Sequence, residues 1–290
     1  SASIKDFFLG GRSLPWPAVT GSIIATETSV VTFIVLPGSV MTLQGDFTYL
    51  QWAIGSILAR IVIGFFFVKA FYEKDIYSPY DFMGNRLGAE VKKLATVLFT
   101  VGGVLAQSVR VLVAALPLRL VTPLPFEWCV TVIVVFAVGW TLMGGIRTVI
   151  WTDVVQLGIF VAGGLAALFW MVGSFDNGWE TLFSGARSAE SFDGTVTDKM
   201  RIFSFERSPE LQLTFWVAIF AVPFLNLSAF GVDQFNAQRL FCCRSVSDAR
   251  KAIIWSSLGQ LVTVLMLMVG AALYVFYARN PPTDPLVMNA

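Results

Sequence analysis

Histidine is absent from the 290 residues. Its absence removes histidine-type zinc sites, Ser-His-Asp triads and the side chain that ordinarily titrates near neutrality. Cysteine is scarce: Cys242 and Cys243 are adjacent and Cys129 stands alone in an apolar run, which makes neither a metal-ligand spacing nor a disulfide framework, so the three are read as free thiols. Charge is scarce as well, at 13% of residues against about 25% in soluble domains. Twenty Lys and Arg against 19 Asp and Glu leave a net charge of +1, so no global field points at nucleic acid or acidic partners. No low-complexity tract or second soluble domain is visible. The chain starts Ser1-Ala2-Ser3 without an initiator Met or signal peptide and stops after a polar Pro281-Pro282-Thr283-Asp284-Pro285 tail, and both ends are read as open to extension.

What remains is apolar. Hydrophobic residues make up 56%, with 26 Phe and 9 Trp, and the mean hydropathy is +0.72. One water-soluble core cannot hide that much apolar surface, so the chain belongs in a lipid bilayer. A window of about 19 residues, long enough to cross ~30 Å of hydrocarbon, finds seven stretches near 17–42, 47–72, 92–122, 127–145, 150–174, 211–236 and 252–278. Runs this long exclude a β-barrel and predict an all-α helical bundle forming a single membrane domain. Twelve of the 20 Lys and Arg fall in alternate connections on one side, including Lys5, Arg12, Lys92, Lys93, Arg147, Arg244 and Arg250. That bias puts residues 1–15 in the cytoplasm and the 175–210 connection outside. The connection is rich in Ser, Gly, Asp and Glu and is read as a solvated cap, with Trp179 and Phe183 available to touch the membrane surface.

Polar groups at membrane depth are costly unless they serve a purpose. Thr26, Glu27, Thr28 and Ser29 are consecutive in the first stretch, so they point all round a helix; an unwound segment lining a cavity accounts for them. The competing reading keeps a continuous helix with its hydroxyls bonded to i−4 carbonyls and Glu27 paired with Arg60 or Arg110. The sixth stretch has a second irregularity, with Pro223 removing an amide and Gly231 loosening the chain next to Asp233. Gln51 and Gln260 either recognise a solute or tie helices together. Arg110 is read as a structural ion-pair or carbonyl-bonding residue. Asp153 opens the fifth stretch either as an acid stabilised by the helix dipole or as an acid at the inner mouth of an ion path.

These residues carry a resemblance. Asp6-Phe7-Phe8-Leu9-Gly10-Gly11-Arg12, Leu36-Pro37-Gly38, Gly144-Gly145-Ile146 with Trp151-Thr152-Asp153-Val154-Val155-Gln156, and Asp233-Gln234 with Gln238-Arg239 resemble, in this order and spacing, the sodium/solute symporter family. The family includes bacterial proline and galactose carriers and mammalian glucose, iodide and multivitamin carriers. The likeness covers nearly the whole chain. It implies a five-plus-five inverted-repeat bundle of the leucine-transporter type, with a first repeat over about 15–175, the external connection, and the start of a second repeat over 211–290. Helices eight to ten of such a bundle would lie beyond residue 290, so the chain is expected to be a fragment that does not transport by itself. The resemblance also implies a sodium ion on the backbone carbonyls of Ala25 and Thr28, with Asp153 on its cytoplasmic exit. The implied solute contacts are Glu27, Ser29, Thr32, Gln51, Phe230 and Gln260.

The expected function is therefore sodium-coupled import of a small polar organic solute across the plasma membrane, without enzymatic or nucleic-acid activity. A sensor built on the same bundle and a proton-coupled carrier using Glu27 or Asp233 are the alternatives.

Overall fold

The computed structural model describes residues 4–42, 45–72, 78–190, 196–208 and 210–281. All seven apolar stretches are helical, and they differ in how continuous they are. The first is divided into α1, Trp16–Glu27, and α2, Val30–Met41. The second is α3, Thr48–Tyr72, which opens on a 3-10 turn and contains a π-helical turn over Ile63–Phe67. After α4, Pro79–Leu87, capped by the Ser78 hydroxyl, comes α5, Ala89–Val121. The fourth and fifth stretches join in α6, Phe126–Gly173, which turns at Gly145. The external connection contains α7, Trp179–Arg187, and a two-residue antiparallel pairing of Ala189–Glu190 with Val196–Thr197. The sixth stretch is in pieces: α8, Phe215–Phe220; α9, Val222–Val232, π-helical from Leu227; and α10, Gln234–Phe241, capped by Asp233. The seventh is α11, Val246–Arg279. Among the described residues, α3, α5, α6 and α11 are each long and apolar enough to cross a membrane, and α1 with α2 makes a fifth if taken as one span.

The breaks follow from local chemistry. Pro15 and Pro17 start α1, where the missing amide costs nothing. Gly145 has φ +59°, and a Cβ there would sit 2.8 Å from the Phe7 carbonyl oxygen, so only glycine makes this turn. In α11, a Cβ at Gly270 would meet the Pro37 carbonyl at 2.6 Å, so α2 approaches α11 as closely as backbones can.

The chain divides into two compact units, each gathered from separated segments. The first comprises 1–31, 55–157 and 220–258. Its core joins Val19 and Ile23 of α1, Ile63 of α3, Phe230 of α9, Leu240 of α10 and Ile253 of α11. The thiols of Cys242 and Cys243 are buried there and unpaired, as is that of Cys129. The second comprises 32–54, 158–219 and 259–290, with Val40, Leu168, Leu182, Met266, Leu267 and Ala272 at its centre. In lipid such packing is held by close van der Waals contact more than by expulsion of water. By contrast, no residue in the apolar window of α5 is buried.

The external connection corrects the expectation of a solvated cap. Thr181, Leu182 and Ala186 of α7 are buried, and Lys199 is 0% exposed, because α7 packs against α11 within the second unit. Arg110 also departs from expectation: it is exposed on α5 and, among the described residues, makes no hydrogen bond or ion pair.

Candidate ion and solute site

The α-ladder of α1 stops where the four polar residues begin. Thr28 donates its amide to the Ile24 carbonyl at 2.8 Å, but its own ψ of 98° is extended and carries the next amide out of the ladder. The carbonyls of Ala25, Thr26 and Glu27 therefore lie past the end of regular hydrogen bonding, at the negative end of the helix dipole. Both elements of the two competing sequence readings coexist here. The break is present, the Thr26 hydroxyl bonds back to the Ser22 carbonyl at 2.7 Å, and Glu27 pairs with Arg60.

Arg60 organises the centre of the first unit. Its side chain is 0% exposed, one terminal nitrogen donates to Glu27 and the other to the Ser256 carbonyl, and the guanidinium lies 4.4 Å from the centre of the Phe230 ring. The Glu27 side chain remains 31% exposed, so this pair borders open space on one side. Arg60 Nε, Ser56 Oγ one turn earlier and Ser257 Oγ beside Ser256 are buried polar atoms without partners. Phe230 sits in the π-helical turn of α9, and a Cβ on Gly231 would meet Phe67 and Ile63 of the other π-helical turn at 3.1–3.2 Å. Two such turns in contact beside a helix break are the local irregularity typical of functional sites.

A second network lies on the other side of Ala25, centred on Ser22 about 4.5 Å down the helix axis. The Ser22 hydroxyl donates to Asp153 at 2.5 Å and accepts from Arg239 Nε at 2.8 Å, while Arg239 Nη2 reaches Asp153 at 3.0 Å and Nη1 reaches the Phe235 carbonyl at 2.7 Å. Three elements of the first unit, α1, α6 and α10, meet on one carboxylate. Asp153 does not open a helix, which corrects that reading: α6 continues through Gly145, so Asp153 lies eight residues beyond the turn. Its charge is met by Arg239 and Ser22.

Of the other sequence-derived positions, Ala25, Thr28, Ser29 and Phe230 belong to the first unit and Thr32, Gln51 and Gln260 to the second. Ala25, Thr28, Ser29, Thr32 and Gln260 are half-buried, while Phe230 and Gln51 are buried. The Gln51 amide is engaged at every polar atom it has, donating to the Thr48 and Leu213 carbonyls at 3.1 and 3.2 Å and accepting from the Ser204 amide at 3.1 Å. In this conformation it takes the helix-tying role.

The sequence gave no hint of Lys199. Its Nζ donates to the carbonyls of Val40, Thr42 and Gly45 at 3.0, 2.6 and 3.3 Å and lies 4.1 Å from the Tyr274 ring centre. Burial pushes the ammonium down to about 8, with Asp46 opposing the shift. Arg201 holds Asp46 at 2.8 Å. The sequence signal for Arg60 was a cation at membrane depth with no acid on its own helix; for Ser22 there was none.

Similarity to known proteins agrees with this arrangement. The profile of the sodium:solute symporter family matches residues 7–282. The chain belongs to that family. It is 29% identical to the sodium/glucose cotransporter of Vibrio parahaemolyticus over 99% of its length and 51% of that protein. It is 29% identical to the human sodium-coupled monocarboxylate transporter 1, over 97% of the chain and 44% of the relative. It is 27% identical to the sodium/sialic acid symporter of Proteus mirabilis, over 98% and 55%. The chain thus spans about half the length of these relatives. A substrate-bound, outward-open Na+-coupled sialic acid symporter superposes with a TM-score of 0.86 at 24% identity, covering 98% of this chain and 59% of that one. The fold is accordingly the expected all-α, leucine-transporter-like membrane bundle. Members of the family are integral membrane carriers of sodium and solutes, and sodium is the ion named in the relatives.

Proposed function

We propose that the chain is part of a sodium-coupled carrier, not an enzyme, that imports a small polar organic solute across the plasma membrane by alternating access. Residues 1–15 lie in the cytoplasm and the 175–210 connection outside, and the repeats fall over about 15–175 and 211–290. The observation that supports this reading is the stop of α1 at Glu27, with Thr28 extended. A hard monovalent cation prefers oxygen ligands, and the carbonyls of Ala25 and Thr28 offer them at a helix terminus of the favourable sign. Glu27, Ser29 and Phe230 are the solute contacts of the first unit. Thr32 and Gln260 are candidates of the second, and Gln51 would join them only after releasing its present partners.

The ion leaves toward Asp153, one turn below Ala25. With Asp153 bonded to Ser22 and Arg239, the acid is occupied and this route is shut; swinging Arg239 away frees a carboxylate for the departing cation. The coupling is then a linkage between ion at the break and solute beside Glu27.

The test is uptake by the full-length protein in liposomes, screened across sugars, amino acids and carboxylates. An inward sodium gradient should drive accumulation, and Glu27→Ala should abolish it. Accumulation driven equally well by a proton gradient without sodium would replace sodium coupling with proton coupling. Tight solute binding without flux would favour the sensor.

A further inference from the structure

The turn of α6 at Gly145 creates a groove that the proposed ion and solute chemistry does not use. Both arms of the folded helix line it, Phe136 and Trp140 before the turn and Arg147, Trp151, Val155 and Gln156 after it, around a volume of about 470 Å³. Arg147 stands two residues past the vertex. It is exposed and, among the described residues, has no hydrogen-bond or ion-pair partner. Trp140 and Trp151 are 41% and 46% exposed, and Phe136 stacks on Trp140 at 5.9 Å.

An arginine beside two exposed indoles on a membrane-spanning chain marks the boundary between headgroups and hydrocarbon. Arg147 also lies on the side that the Lys and Arg bias assigns to the cytoplasm, where the leaflet carries anionic lipid. A guanidinium matches phosphate oxygens bidentately, while an apolar helix in the same place would leave it desolvated and unpaired. The walls leading from Arg147 into the bilayer are aromatic and aliphatic, with Gln156 as an exposed polar group deeper in the groove. We propose that this groove holds one anionic phospholipid, its phosphate on Arg147 and an acyl chain against Phe136, Trp140 and Val155. The proposal is independent of which ion or solute the carrier moves.

The full-length carrier would be purified into nanodiscs containing equal phosphatidylglycerol and phosphatidylcholine, and retained lipid counted by native mass spectrometry. The wild-type protein should retain phosphatidylglycerol in preference. Arg147→Gln should lower that retention about fivefold, the effect expected of one interfacial arginine, while Arg147→Lys should preserve most of it. A photo-reactive benzoylphenylalanine at position 140 should form a lipid adduct. Equal phosphatidylglycerol retention by Arg147→Gln, or no preference over phosphatidylcholine in the wild type, would overturn the proposal. So would a cross-link from position 140 to protein, whether another segment of the carrier or a second copy.

Discussion

Each unit buries one cation completely, and the two are accommodated by different chemistry. Arg60 of the first unit shares its charge with a carboxylate, a carbonyl and a ring face. Lys199 of the second has three carbonyls and a ring face, with its nearest acid, Asp46, engaged by Arg201. A planar guanidinium distributes contacts among fixed directions, whereas an ammonium is a compact point charge that carbonyl dipoles can surround. The difference also concerns exchange. The acid partner of Arg60 is 31% exposed, so an arriving ligand can compete for it; the carbonyls around Lys199 are backbone atoms of the chain between Val40 and Gly45 and cannot leave without unmaking the local fold.

The comparison can be broken most severely at Arg60. Arg60→Leu should strand Glu27 at membrane depth and lower stability by about 3 kcal/mol, the low end for a broken buried pair because the acid is partly hydrated. This would be read as a fall in the thermal midpoint of the purified full-length carrier, accompanied by lost uptake. Glu27→Gln keeps a hydrogen-bond acceptor for Arg60 and should retain most of the fold while losing uptake, which separates function from stability at the same pair.

Lys199→Met should cost about 2 kcal/mol, since three carbonyls lose a charged donor but a buried charge is also removed. Its pH signature distinguishes it from Arg60. The folded-state value near 8 lies below the ordinary 10.5 of lysine, so between those values the unfolded chain holds the proton that the folded chain has released. Stability should therefore rise as pH increases through that window, and the rise should vanish in Lys199→Met. A thermal midpoint that falls from pH 8 to 10 in the wild type, relative to this variant, would refute the burial cause.

Smaller effects are expected where backbone or a single hydroxyl acts. Ser22→Ala leaves Arg239 Nε without its acceptor and should cost about 1 kcal/mol, with faster sodium release in exchange measurements. Thr28→Ala should change sodium affinity least, because the proposed ligand is its carbonyl, which any residue supplies.

The helical class and the break in the first stretch were legible because composition and four consecutive polar residues are local signals. The pairing of Glu27 was legible only as a choice between Arg60 and Arg110: both are cations at depth, and which helix is enclosed is a matter of packing. Ser22, Asp153 and Arg239 are separated by 131 and 86 residues, and nothing along the chain announces that they meet. Lys199 was hidden by its setting, since a polar segment rich in Ser and Gly reads as solvated until α7 is seen packed on α11. Asp153 was misjudged as a helix start because glycine at 145 suggested two separate helices, while the actual turn leaves the second arm running well before the acid.

The π-helical turn over Leu227–Val232 carries one more residue than regular winding would need. Deleting a single residue there would restore the 3.6-residue period and rotate everything downstream by about 100°. Arg239 would swing off the face that reaches Asp153, and Phe230 would no longer lie under Arg60, although neither side chain had been altered. The surplus residue thus acts as a phase setting between the two halves of this segment, and a one-codon loss would unhook both networks together.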